Sequence, residues 1–172
     1  MVRTAIAVVI LVIAITSLTL QGPAPSAAAA TVSTSAAATP AVRMPPGGGR
    51  ASAAVQLRRM AWRWALRQRG KPYVWGGTGP SGFDCSGLVF AAYRAAGLRL
   101  PRTTYEMLAS WHLVRIPKSR ARRGDLAFFG AGHVELYDWG PWTYGAADTG
   151  TFIGFHRMNA YWHPTMYFRI RL

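Results

Sequence analysis

Cysteine occurs once in this chain, as Cys85, and only six acidic side chains stand against twenty Lys and Arg. A single cysteine excludes a disulfide framework and any zinc site built on cysteine pairs. The four histidines, His112, His133, His156 and His163, form no His-x-x-x-His pair and no dense cluster with carboxylates. No metal site and no other cofactor is therefore expected. Nothing marks two of the carboxylates as a glycosidase pair. Zinc-finger spacing, RNP-like strands and basic heptads are missing too, so nucleic acid is not expected as a partner.

What is present is positive charge and apolar surface. The formal charge is +14 and 51% of the 172 residues are hydrophobic, enough for one domain with a real core. Met1-Val2-Arg3 precedes an uncharged apolar run from Thr4 to Leu20, and Ala28-Ala29-Ala30 follows. That order reads as a signal peptide over 1–30, with an uncleaved membrane anchor as the alternative. Export places the chain in the extracytoplasmic envelope or the medium. There a basic protein meets anionic wall polymers, acidic peptides or phospholipid headgroups. Residues 31–52 are rich in Ala, Ser, Thr, Pro and Gly and read as a flexible linker. Nothing in the sequence speaks to oligomeric state.

From 53 to 172 the pattern is that of a folded α+β domain. Ala53 to Arg69 lacks Gly and Pro and carries Val55, Leu57, Met60, Ala61, Trp64 and Leu66 at helical spacing, with Arg58, Arg59, Arg63 and Arg67 between them. A second helix is expected from Cys85, closed by Gly97, and a short third one over Thr103–Ser110. Arg115–Arg123 reads as a basic loop. Strands are expected over 125–129, 133–137, 142–146 and 166–170, and a further one over 151–155. Helices followed by a run of strands predict helices packed on a mostly antiparallel sheet.

A lone thiol in an oxidising compartment is either inert and buried or chemically used. The setting of Cys85 favours use. It follows a glycine-rich loop and opens a helix, whose free N–H groups and positive dipole end favour the thiolate. A thiolate nucleophile needs a general base and donors for an oxyanion. Among the histidines, His133 has the best context, because it follows Gly130-Ala131-Gly132 and begins a strand. His112 reads as a surface residue and His163 as part of a turn before Pro164. His156 is a candidate supporting group, but nothing in the sequence places it near Cys85.

At these residues the chain resembles the NlpC/P60 family of cell-wall peptidases, which have a papain-like fold. The matching stretches run from Gly70 to Gly77, Phe83 to Leu88, Leu100 to Thr103, Arg123 to Phe129 and Gly132 to Val134, in the family's order. The resemblance implies hydrolysis of amide bonds in the stem peptides of peptidoglycan, with Cys85 as nucleophile and His133 as base. It implies that Tyr73, Asp84 and Ser86 line the substrate site. For Tyr73 and Asp84, loop packing and helix capping are equal alternatives. The family also places a polar third residue on the strand after the histidine, and here that slot falls at or near Gly145. Glu135 is the preferred replacement, since it shares a strand face with His133. Asp148, a backbone carbonyl or a water are the alternatives. Two other functions stay open: a cysteine acyl hydrolase or transferase with another substrate, and a non-catalytic wall-binding module.

Overall fold

The computed structural model describes residues 49–172. The expected signal peptide and almost all of the linker lie outside the described residues. Among the described residues no helix is long and apolar enough to cross a membrane.

Helix α1 spans Arg50–Leu66, α2 Cys85–Ala95 and α3 Thr104–Leu108. Six strands follow: β1 Leu113–Ile116, β2 Leu126–Phe129, β3 His133–Tyr137, β4 Trp142–Gly145, β5 Gly154–Arg157 and β6 Met166–Ile170. They form one sheet in the order β1-β6-β2-β3-β4-β5, and every pairing is antiparallel. The chain is thus helices first and an antiparallel sheet after, as the sequence pattern predicts.

Alternation along the strands divides the sheet's two faces. Leu126, Phe128, Val134, Leu136 and Tyr144 join Leu88, Val89, Ala92 and Tyr93 of α2 in the main core, with α1 packed against α2. The intervening residues Ala127, Tyr137 and Tyr167 form a second, smaller cluster with Ala121 and Met158. Glu135 belongs by alternation to this second set, since it pairs with Ala127 across β2 and β3.

Several local expectations are corrected. Helix α1 takes in Arg50, Ala51 and Ser52, residues with no bar to helix that the sequence reading left in the linker. It ends at Leu66 rather than Arg69, where the hydrogen bonds of Arg67, Gln68 and Arg69 tighten to an i−3 pattern. Its most deeply buried apolar residues are Ala53, Ala61, Trp62 and Ala65, and the expected Leu57, Met60, Trp64 and Leu66 are partly buried against the same core. Arg58 is buried as well rather than solvated. It meets Asp125 at 3.1 Å, and Asp125 also receives Arg169 at 2.6 Å. Strand β1 falls in a stretch read partly as basic loop. It is an edge strand with two exposed residues, so its pattern carries little signal. Strand β5 begins at Gly154, later than expected, because Phe152 bridges to Pro72 instead.

Candidate active site

Cys85 is the first residue of α2, and Asp84 caps that helix. The Asp84 carboxylate accepts the Gly87 N–H at 2.6 Å and the Gly76 N–H at 2.9 Å. One side chain therefore fixes the helix start and ties it to the glycine-rich loop, and such a cap is worth about 1 kcal/mol. Gly87 must be glycine here. A Cβ at that position would lie 2.0 Å from the Gly77 carbonyl oxygen. The loop backbone thus packs directly on the first turn of the helix. Arg102 completes the arrangement by pairing with Asp84 and donating to the Ser86 hydroxyl at 2.8 Å.

This placement bears on the expected roles. Tyr73, Asp84 and Ser86 line one hollow of about 440 Å³ together with Cys85, Arg102 and Gly132. Asp84 is only 8% exposed, and both of its oxygens are occupied by capping and by Arg102. Its contacts are those of a structural cap that also contributes to the wall. Burial raises the Tyr73 phenol above its usual range, and the neighbouring Cys85 and Asp84 charges add to this. Trp75 and Tyr105, 86% and 67% exposed, stand among the lining residues as large apolar surface open to solvent.

His133 opens β3, and its imidazole interacts with the Cys85 thiol. Burial alone would raise the thiol pKa. The hydrogen bond and charge of His133, with the backbone N–H groups of Val134 and Ser86, outweigh it and leave the thiol lowered. Burial pulls His133 the other way, yet its bonds to Cys85 and Glu135 and their charges lift it to about 9. The two shifts agree in direction. Both favour the thiolate–imidazolium form of the pair over the neutral one. The ring is held between aromatics, with Phe129 at 5.2 Å and Trp162 at 5.1 Å between centroids.

Behind His133 stands Glu135. Its Oε1 lies 3.3 Å from His133 Nε2 and 2.7 Å from His156 Nδ1. Nε2 is therefore the nitrogen held by the carboxylate, which leaves Nδ1 to exchange a proton with the thiol. Glu135 is fully buried. Burial would push its pKa up, but the hydrogen bonds of His133 and His156 and the charge of His156 pull it well below the usual range. Asp148, the other side chain considered for this position, stays in its own exposed turn and accepts the Thr149 N–H.

The empty slot at Gly145 has a physical reason. Leu136 pairs with Tyr144 across β3 and β4, so the register sets Gly145 opposite Glu135. A Cβ on Gly145 would come within 2.6 Å of Glu135 Cγ and 3.0 Å of its Oε1. The volume where β4 would offer a side chain is filled by the glutamate from β3. His156 reaches the same carboxylate from β5, where it pairs with Thr143. The sequence leaves His156 a candidate supporting group with no place, because its contact depends on the register of three strands. Arg102 and Trp162 were missed. Arg102 did carry a signal, since it sits within the Leu100–Thr103 motif.

Comparison with known proteins agrees with this architecture. The model of the NlpC/P60 family matches residues 70–171, and the chain belongs to that family. It is 50% identical over 74 residues to the probable endopeptidase YafL of Escherichia coli, covering 42% of this chain and 30% of that protein. It is 42% identical over 87 residues to the murein DD-endopeptidase MepH of the same organism, covering 46% and 32% respectively. The chain thus matches about a third of the length of these relatives. Among solved structures, the peptidoglycan hydrolase RipB of Mycobacterium tuberculosis superposes with a TM-score of 0.62 at 28% identity, over 76% of this chain and 70% of that one.

Proposed function

We propose that this chain is an exported cysteine peptidase that hydrolyses amide bonds in the stem peptides of peptidoglycan. One observation carries the reading: a thiol at a helix N-terminus interacts with an imidazole whose far nitrogen is held by a buried carboxylate. The names of the relatives above, murein DD-endopeptidase and peptidoglycan hydrolase among them, supply the substrate class. The apolar run at the N-terminus and the excess of positive charge support export to an anionic envelope.

In this reading the Cys85 thiolate attacks the amide carbonyl. In the first turn of α2 the Gly87 N–H is taken by the Asp84 side chain and the Leu88 N–H by the Asp84 carbonyl, which leaves the Cys85 N–H to stabilise the oxyanion. The His133 imidazolium gives its proton from Nδ1 to the leaving amine. It then takes a proton from the water that attacks the thioester, and Cys85 is released. Glu135 keeps Nε2 protonated and the ring oriented throughout. His156 touches no reacting atom and acts as a positioning residue for Glu135.

The test uses purified protein and its Cys85→Ala variant on peptidoglycan of several wall types, with mass spectrometry of released peptides. New stem-peptide termini in the wild type, and none in the variant, are expected. Absence of any Cys85-dependent product from every wall type would sink the proposal. Cys85-dependent turnover confined to a non-wall amide or ester would point to another acyl hydrolase on this fold. Wall binding with no turnover, and a thiol that titrates like free cysteine, would identify a binding module.

A further inference from the structure

The cleft is not the largest hollow on the molecule. Four others lie along surfaces formed by α1, the Arg115–Arg123 region, the Trp139–Pro141 turn and the strand ends. Three measure about 320, 460 and 560 Å³, and the fourth about 590 Å³. They are joined by shared walls. Arg58 borders the first and second, Arg122 and Trp139 the second and third, and Lys118 the third and fourth. Together the adjoining hollows make up a segmented trough, and none of its lining residues lines the Cys85 cleft.

Ten cationic side chains line the trough, and no acidic side chain does. Its middle is the densest part, with Arg59, Arg63, Arg122 and Arg123 around the Trp62 ring. Asp125 lies buried beneath and is shared by Arg58 and Arg169, while Asp138 holds Arg123. The remaining acids are committed elsewhere: Asp84 and Glu135 in the cleft, Glu106 in the cap of α3, and Asp148 in its turn. The side chains of Arg59, Arg63, Arg122 and Lys118 pair with no acid among the described residues, although the Arg122 backbone N–H donates to Asp125. Arg58 is nine-tenths buried, and its Nε has no hydrogen-bond partner.

Such an array is self-repulsive and gains most from a long anion that spans it. A single small ion would meet only one hollow. Arginine forks match phosphate and carboxylate oxygens in pairs. Trp139, 70% exposed where two hollows meet, offers an apolar ring face. Cations with an exposed indole between them suit a chain in which charged groups alternate with sugar rings.

We infer that this trough binds an extended anionic glycopolymer, with phosphate or carboxylate groups spaced along a sugar-bearing backbone, as an exosite separate from the cleft. The inference does not depend on the peptidase reading, since binding is measurable with or without turnover.

The experiment measures binding of the full chain to labelled glucosylated poly(glycerol phosphate) and to polygalacturonate of matched length, by fluorescence anisotropy across salt. Neutral dextran, linear polyphosphate and a single-stranded oligonucleotide of equal charge serve as comparators. At least one of the two glycopolymers binds, with affinity that falls as salt rises, and dextran does not. Which of the two binds tighter tells phosphate from carboxylate. The triple variant Arg59→Gln, Arg63→Gln, Arg122→Gln changes only exposed side chains. It weakens binding about tenfold, keeps its thermal melt, and cleaves a small soluble stem peptide at the wild-type rate if the wild type cleaves it.

An equal charge reduction away from the trough, Arg94→Gln, Arg99→Gln, Arg157→Gln, changes binding less than about twofold. Trp139→Ala weakens the glycopolymer several-fold and leaves polyphosphate unaffected. Any of four results would overturn the assignment. These are no binding of either glycopolymer, equal loss in the two triple variants, no effect of Trp139→Ala on the glycopolymer, or tighter binding of the oligonucleotide.

Discussion

The helix side of the cleft draws its parts from one short stretch of chain, Gly76 to Gly87, with Arg102 closing it from the next motif. The sheet side draws His133 and Glu135 from β3, the space they need from Gly145 on β4, and His156 from β5. The first is local geometry, in which a cap, a glycine turn and a helix dipole act within a dozen residues. The second is a packing solution spread over three strands. A local motif leaves its mark in the order of residues. A packing solution leaves its mark in which volumes are filled and which are vacant.

The largest expected effect joins the two sides. His133→Ala removes the proposed base and the charge that lowers the Cys85 pKa. Turnover should fall by about 10⁴-fold. The pH at which Cys85 becomes reactive to a thiol reagent should move up. In the wild type, activity is lost as acid protonates the thiolate and again as His133 deprotonates near its raised value of about 9. Because that value is raised on folding, His133 stabilises the fold fully below its unfolded pKa of 6.5, and the contribution fades as pH rises through about 9. A single-limbed pH–rate profile would break the ion-pair account.

Removing Glu135 tests the sheet side alone. The thiolate–imidazolium pair retains its own attraction, so Glu135→Ala should cost about 100-fold, less than loss of the base. The alkaline limb should move to lower pH, since Glu135 helps raise His133. Relocating the carboxylate sharpens this. Glu135→Ala combined with Gly145→Glu returns an acid to the facing strand and should recover about tenfold of the lost turnover.

Gly145→Ala asks whether the vacancy matters. Its Cβ would displace Glu135, at an expected cost of about 1–3 kcal/mol in stability. Adding Glu135→Ala should relieve most of that loss, so the two changes should be strongly non-additive in thermal melts. Strict additivity would separate the glycine from the glutamate.

The smallest effect is expected at His156. His156→Ala should lower turnover about three- to tenfold, and His156→Gln, which retains a donor, should recover most of it. Folding depresses the Glu135 pKa, so its stabilisation is present above the unfolded value and lost as pH falls. Without His156 the depression is smaller, so the alanine variant should lose less stability on acidification, and finish losing it at a higher pH, than the wild type. Identical acid melts would confine His156 to packing.

The same contrast explains what could be read in advance. Strands 133–137 and 166–170 fall where short apolar segments between turns predict them, and the Thr103 cap of α3 is visible as Thr and Glu three residues apart. Cys85 and His133 stand in ordered motifs. Glu135 was reachable by the two-residue period of a strand, which places it beside His133. His156 was not, because nothing local links β5 to β3. The buried role of Arg58 was hidden as well. A basic residue on an amphipathic helix reads as solvated until Asp125 is found beneath it, many residues later in the chain.

The side-chain swap between Glu135 and Gly145 also has a mechanical consequence. When a base and the group that orients it sit on neighbouring strands, any sliding of one strand past the other changes their spacing. Here both ride on β3, two positions apart, and the distance between them is set within a single extended segment. Fraying of β4 or β5 would loosen the grip on Glu135 but leave His133 and Glu135 in step. The working geometry of this cleft is therefore buffered against shear in the outer half of the sheet.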